Sequence, residues 1–314
     1  MVFEPQIMVG VDGSPASRAA LEWAAHRAQQ QGRPLLLVHS VPDYLVSPEG
    51  VDYQTFRAGL QGMLDSEANR VRGLVPAVEV RSSLQFGEPA RVLAELSARS
   101  VMVVVGTDRT ADVQGERFGT LNFQLAMIGR CPVAVIPEPE NSVSAGVVVG
   151  IDGSPESMAA AYFAAAEAVR TRQDLTVVCV SQSPARWVHS SADGSVKTRQ
   201  IGTQGRMILE AVVAAVRARH THLTVFDRFE QHDAAARVLI EAGKGAAMLV
   251  VGSRGSGAVH HAAMGSVTRE LLLHVPCPLV LTQQEEAAVV GERYKGHRAG
   301  LHTLAPVQIS PGGF

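Results

Sequence analysis

Val9-Gly10-Val11-Asp12-Gly13-Ser14-Pro15 recurs as Val149-Gly150-Ile151-Asp152-Gly153-Ser154-Pro155. Val103-Val104-Val105-Gly106 recurs as Leu249-Val250-Val251-Gly252, and Cys131-Pro132-Val133-Ala134-Val135 as Cys277-Pro278-Leu279-Val280-Leu281. The first pair is offset by 140 residues (9 to 149), the other two by 146 (103 to 249, 131 to 277). Self-similarity at a domain-sized period means one module written twice, not a solenoid. The six extra residues of the second copy fall between Ser40 and the helix that begins near Gly87. The join lies at Glu138-Pro139-Glu140-Asn141-Ser142, a polar stretch with a proline. The expected division is 1–140, 141–284 and a tail, 285–314, without counterpart in the first repeat. Its mix of charge, Gly and Pro predicts disorder or a segment draped over the surface.

Each module alternates strand and helix. Ile7 to Val11 is a short apolar run, read as a buried strand. Ser14-Pro15 then opens a helix, with Ser as N-cap and Pro at the first helical position. Ala20, Leu21, Ala24, Ala25 and Ala28 share one face, and Gly32 ends the helix. Ala160, Ala161, Ala164, Ala165 and Ala168 repeat that face. Second strands are predicted at Leu35 to His39 and Leu175 to Cys179, and third strands near Ala77 to Leu84 and Leu223 to Phe226. A helix follows (Pro89 to Ser97; Ala234 to Glu241), then a fourth strand, another helix and a fifth strand. Strands apolar throughout and separated by helices imply a parallel sheet covered on both faces. Right-handed crossovers make each module a doubly wound, Rossmann-like α/β domain.

The net charge of −2 gives no electrostatic reason to expect nucleic acid or an anionic membrane as partner. Three cysteines, none in a CxxC pair, argue against a disulfide scaffold or a cysteine zinc site and suit a reducing cytosol. Residues 1 to 11 do not read as a signal peptide, and no apolar run is long enough for a membrane helix. A cytoplasmic location is expected.

In doubly wound sheets ligands bind beyond the carboxyl ends of the strands, where strand order reverses. In the second repeat two unusual loops leave strand ends. One carries Asp152. The other reads Gly252-Ser253-Arg254-Gly255, nine residues, then Gly265-Ser266-Val267. Glycines allow positive φ and close approach of backbone to a ligand. Consecutive amides can point at phosphate oxygens, and Gly265-Ser266 stands where the next helix begins, at its positive dipole end. The Ser266 hydroxyl can bond phosphate or help hold a metal. Arg254 either adds charge or faces solvent.

Gly-x2-Gly-x9-Gly-Ser after an apolar strand, with an Asp closing strand one and a Cys-Pro-apolar final strand, resembles the universal stress protein family in its ATP-binding branch. The resemblance covers residues 5 to 137 and 145 to 282. It implies strand order 3-2-1-4-5 in each module. It implies that Asp152 and Val180 hold the adenosine end of ATP. Gly252, Ser253, Arg254, Gly255, Gly265, Ser266 and Val267 would form the ribose and phosphate side, with Mg²⁺ as a companion ion. It further implies pairing through the last strands, Val133 to Ile136 and Leu279 to Leu281, within the chain or between chains of a homo-oligomer.

The first repeat departs from the pattern at Gly106-Thr107-Asp108-Arg109, nine residues, Gly119-Thr120. Arg109 replaces a glycine, and Asp108 sets a negative charge beside the expected phosphates. Asp12, Gly106, Gly119 and Thr120 survive as a weakened second site. The opposing reading has Arg109 pair directly with phosphate.

Plainer readings stand beside these. Asp-Gly-Ser-Pro is good turn chemistry in its own right, and a glycine-rich loop can be a mere connector. His260-His261 invites a metal, but adjacent residues do not share a helix face. Cys131, Cys179 and Cys277 read as buried core. Lys244 between glycines lacks the Ser/Thr of a P-loop. Trp187-Val188-His189 reads as a loop, with a lid as the sharper alternative. The expected function is an ATP-responsive stress protein of the bacterial cytoplasm, acting on an unidentified protein partner. The alternatives are a slow ATP hydrolase, for which no dedicated base is evident, a scaffold without nucleotide, and a cyclic AMP binder.

Overall fold

The computed structural model describes residues 5–45, 53–107, 120–138, 144–181, 194–255 and 264–283. The first repeat contains β1 (Gln6–Gly10), α1 (Pro15–Gln31), β2 (Leu35–Val41), α2 (Tyr53–Leu74), β3 (Val80–Phe86), α3 (Pro89–Ser97), β4 (Ser100–Gly106), α4 (Thr120–Ile128) and β5 (Val133–Ile136). The second contains β6 (Val147–Ile151), α5 (Pro155–Thr171), β7 (Leu175–Ser181), α6 (Gly194–Arg219), β8 (Val225–Gln231), α7 (Ala235–Gly243), β9 (Met248–Gly252), α8 (Ser266–Leu273) and β10 (Leu279–Thr282).

The strands form one ten-stranded sheet in the order β3-β2-β1-β4-β5-β10-β9-β6-β7-β8. Each half has the expected order 3-2-1-4-5, and its internal pairings are parallel. The sheet as a whole is mixed, because β5 and β10 pair antiparallel, Val135 with Leu279, Ala134 with Val280 and Val133 with Leu281. Last-strand pairing therefore occurs within the chain.

Alternation along the strands builds two cores. Ile7, Val9, Met102, Val104, Val147 and Val149 face α1, α2, α5 and α6. Met8, Val103, Val105, Val148, Leu249 and Val251 face α3, α4, α7 and α8. The alanine faces of α1 and α5 are fully buried, which lets both helices sit close to the sheet. Ser14 and Ser154 cap them, accepting from the amides of Ser17 and Ser157, with Pro at the first helical position. Gly32 ends α1 in the left-handed conformation; Arg172 holds the same conformation at the end of α5, φ 55°.

Three expectations need correction. The third strands lie further along the chain than predicted, and β8 runs through polar Asp227-Arg228, because an edge strand needs apolar residues only on its covered side. Both second strands run two residues further than predicted, β2 past His39 to Val41 and β7 past Cys179 through Val180 to Ser181, each paired along its whole length to the third strand. The long helices α2 and α6 follow β2 and β7, where the sequence reading names no helix. The tail, the join beyond Glu138, Trp187-Val188-His189 and His260-His261 lie outside the described residues. Among the described residues no helix is long and apolar enough to cross a membrane.

Candidate functional site

In the second repeat β6 lies between β7 and β9, so the crossing connections diverge at the carboxyl ends of β6 and β9. Asp152 leaves β6 there. Its Oδ1 accepts from the Ser154 amide at 2.9 Å and from the Ser154 hydroxyl at 2.6 Å. Gly153 makes the turn with φ 84°. The Ser154 hydroxyl also accepts from the Ser157 amide at 3.2 Å. One serine thus caps α5 and orients Asp152, so the orientation of the acid is tied to the start of the helix.

The glycine loop works differently from the sequence expectation. Gly252, Gly255 and Gly265 do not lie at positive φ; in this repeat's strand-one turn it is Gly153 that does. Their shared requirement is close approach. A Cβ on Gly252 would sit 2.9 Å from Glu156 Cβ in the first turn of α5. A Cβ on Gly255 would sit 2.6 Å from Asp152 Oδ2. The loop therefore passes directly over the carboxylate. Ser253 is buried, donating its amide to the Thr282 carbonyl at 2.9 Å and its hydroxyl to Gln283 Oε1 at 2.8 Å. Arg254 is half-buried beside it.

Past residues 256–263, the chain re-enters at Gly265, the N-cap of α8, with extended backbone (φ −63°, ψ 143°) and no side-chain capping bond. A Cβ on Gly265 would sit 3.5 Å from the Gly255 amide nitrogen, so the two ends of the loop lie side by side. Ser266 is exposed, and Val267 packs on the core under α8. The Thr268 hydroxyl donates to the Gly252 carbonyl at 3.0 Å, tying α8 to the start of the loop. The first turn of α8 holds no acidic residue, so its amides present an uncompensated positive end.

Val180 sits half-buried near the end of β7. Beside it the Cys179 thiol donates to the Gly205 carbonyl at 3.5 Å; burial, and then the charge of Asp152, push its pKa up to about 11. α6 roofs this side. A Cβ on Gly205 would meet Phe229 at 2.7 Å, and Ile208 packs on Gly153. Gly205 and Ile208 escaped the sequence reading because a single glycine in a polar helix carries no pattern of its own. The sequence thus brings together Asp152, Val180, Gly255 and the start of α8, while Gly252 and Ser253 serve the packing beneath them.

The universal stress protein family model matches residues 5–137 and 146–283. The chain belongs to the universal stress protein family. It is 30% identical over 301 residues to universal stress protein Rv1996 of Mycobacterium tuberculosis, covering 88% of this chain and 94% of that protein. It is 28% identical over 308 residues to universal stress protein Rv2623 of the same organism, covering 88% and 96%. The fold is similar to that of a universal stress protein from Archaeoglobus fulgidus, with TM-score 0.64 at 16% identity over 88% of this chain and 98% of that one.

Within this tandem universal stress protein the first repeat is built differently at the matching positions. Asp12 is exposed, its carboxylate accepting from the Ser14 amide at 2.9 Å. Burial works against its charge, but hydrogen bonds from Ser14 and Ser17 and the nearby His39 outweigh that and lower its pKa. His39 stands where the second repeat has Cys179, with Nδ1 2.6 Å from the Val11 carbonyl. Ser40 replaces Val180 and donates to the Gly87 carbonyl at 2.9 Å. A Cβ on Gly106 would meet the Ala16 carbonyl oxygen at 2.4 Å, so this glycine too answers to the helix beside it. Thr107 and Asn122, counterparts of Ser253 and Thr268, each bury one oxygen without a hydrogen-bond partner among the described residues, and Pro137 stands where Gln283 serves the second repeat. Thr120 opens α4; Asp108, Arg109 and Gly119 lie outside the described residues.

Proposed function

We propose that the second repeat binds an adenine nucleotide, ATP with its Mg²⁺, and that the protein acts in the stress response of the cytoplasm by nucleotide-dependent contact with a protein partner or a second chain. The observation that carries the reading is the approach of Gly255 to Asp152: a carboxylate held at its Oδ1 lies under a loop with no room for a Cβ. Such a cradle brings ribose hydroxyls within reach of an acceptor and backbone amides within reach of phosphates. Asp152 would accept from the ribose, Val180 would offer an apolar wall to adenine, and the amides at Gly265-Ser266-Val267 would face phosphate oxygens. Among the described residues no cluster of His, Cys, Asp and Glu offers a resident metal site. In this reading Mg²⁺ therefore arrives on the phosphates, with the Ser266 hydroxyl as the protein's contribution. The first repeat, with His39 and Ser40 in place of Cys179 and Val180 and Arg109 in its loop, is the weaker site.

Calorimetry with ATP, ADP and cyclic AMP in the presence of Mg²⁺, on the wild type and on Gly265→Glu, tests this. One ATP site, lost in the variant, is expected. No binding of any of the three by well-folded protein overturns it, and tighter binding of cyclic AMP reassigns the nucleotide.

A further inference from the structure

The two repeats meet around a local two-fold axis, and the residues on that axis are counterparts of one another. In the β5–β10 ladder Ala134 pairs with Val280, offset by 146, the same offset as the repeat in this region. On the α1–α5 side Arg27 meets Glu167, offset by 140, with Arg27 Nη2 2.6 Å from Glu167 Oε1. Gln30 meets Arg170 at the same offset: Arg170 Nη1 donates to Gln30 Oε1 at 2.5 Å. The Arg27 guanidinium lies 4.9 Å from the ring centre of Trp23 and 5.9 Å from that of Phe163, again counterparts. Arg27 and Glu167 are 4% and 7% exposed at the side chain, so this is a desolvated ion pair, and Arg170 also donates to the same carboxylate, Nε to Oε2 at 3.2 Å.

At a two-fold axis between identical units a residue faces its own copy. Two first repeats meeting this way would bury Arg27 against Arg27; two second repeats would bury Glu167 against Glu167. The strands give no such discrimination, since Val133–Ile136 and Leu279–Thr282 are both short, apolar and buried, and any of the three pairings satisfies their backbone. We propose that Arg27 and Glu167 are the specificity element of the seam: they commit the first repeat to the second and exclude pairing of either with its own kind in another chain. Strand pairing and apolar packing supply the strength; opposite charges at self-facing positions supply the choice.

Charge reversal in the full chain tests this. Arg27→Glu makes both seam positions acidic and Glu167→Arg makes both basic. Each alone is expected to lower the folded-to-unfolded ratio by about a hundredfold or more in urea titration. The double reversal R27E/E167R restores the opposite-charge pair and recovers part of that loss; Arg170, which donates to Glu167 and has neutral Gln30 as its counterpart, then stands beside the introduced arginine and keeps the recovery incomplete. The two single variants refolded together form a species of twice the wild-type mass containing one chain of each, seen by sedimentation and native mass spectrometry. Should either single variant be too unstable to purify alone, the mixed refolding and the double reversal still decide. Single variants as stable as wild type, a double reversal no better than the singles, or no mixed species would each overturn the proposal.

Discussion

Gly255→Ala adds one carbon at a position where the backbone is free of strain, so its effect isolates the close approach. The new Cβ would lie 2.6 Å from Asp152 Oδ2, well inside van der Waals contact. Either the loop lifts or the carboxylate turns. Turning it breaks the bonds to the Ser154 amide and hydroxyl, at 2.9 and 2.6 Å, each worth about 1–1.5 kcal/mol or somewhat more because the acceptor is charged. Lifting the loop separates Gly255 from Gly265 and moves the backbone amides off the phosphate path. In either case a nucleotide bound as proposed would lose one well-placed partner, about 1.4–3 kcal/mol, which is a ten- to hundredfold weaker affinity. Calorimetric titration with ATP and Mg²⁺ measures the change, and thermal unfolding without ligand measures the stability loss. An alanine variant that binds ATP as tightly as wild type would refute the cradle reasoning, since nothing else in the loop would then depend on the missing Cβ.

Gly106→Ala drives a Cβ to 2.4 Å from the Ala16 carbonyl oxygen, a backbone atom in the first turn of α1, so it is expected to destabilise by about 2–3 kcal/mol, measured by urea midpoint, with no dependence on nucleotide. Ser154→Ala and Ser14→Ala each remove an N-cap and lose about 1 kcal/mol, but only Ser154→Ala also weakens ATP binding, because only Ser154 is proposed to orient a nucleotide-binding acid. Asp12 has a lowered pKa in the folded state, so its contribution to stability is in place above the unfolded carboxylate value and fades as pH falls through the lower folded one. Asp12→Asn is expected to flatten that acid limb by a small amount, read as melting temperature from roughly pH 2 to 6. Iodoacetamide near neutral pH is expected to leave the native protein unmodified and to label all three cysteines after unfolding, since all are buried and burial pushes Cys277 up to about 12 and Cys179 up to about 11.

The duplication, the helix caps and the strands were legible because each leaves a local mark: a repeated string, a Ser-Pro pair, an apolar run bounded by turns; the strand order came only with the family resemblance. Asp152 and the Gly255/Gly265 spacing were legible for the same reason. The reason for the glycines was not. Positive φ is the usual inference from glycine, but Gly252 and Gly255 answer to Glu156 and Asp152, neighbours about 100 residues earlier in the chain that only the fold brings near. α2 and α6 were missed as elements because most of their residues are polar or glycine and few, Leu64, Ala68 and Val71 or Leu209, Val212, Val213 and Val216, are buried in the core. Arg27 and Glu167 sit at equivalent places in the repeat and could be aligned from the sequence. That they touch follows only from the two-fold axis, which no string of residues displays.

The β5–β10 pairing also sets a schedule. A ribosome finishes β5 at Ile136 but must add another 146 residues (136 to 282) before β10 is complete. At 5–20 residues per second that interval is roughly 7–30 s. Throughout it the first repeat can be fully folded elsewhere while Val133–Ile136 remains an apolar strand with no neighbour on its outer side. On a crowded polysome, nascent first repeats at this stage are one another's nearest strands, and the meeting of Arg27 with Arg27 is then the one barrier proposed against their pairing. The protein's vulnerable moment thus falls during its own synthesis, and slow translation of the second half would lengthen it in direct proportion.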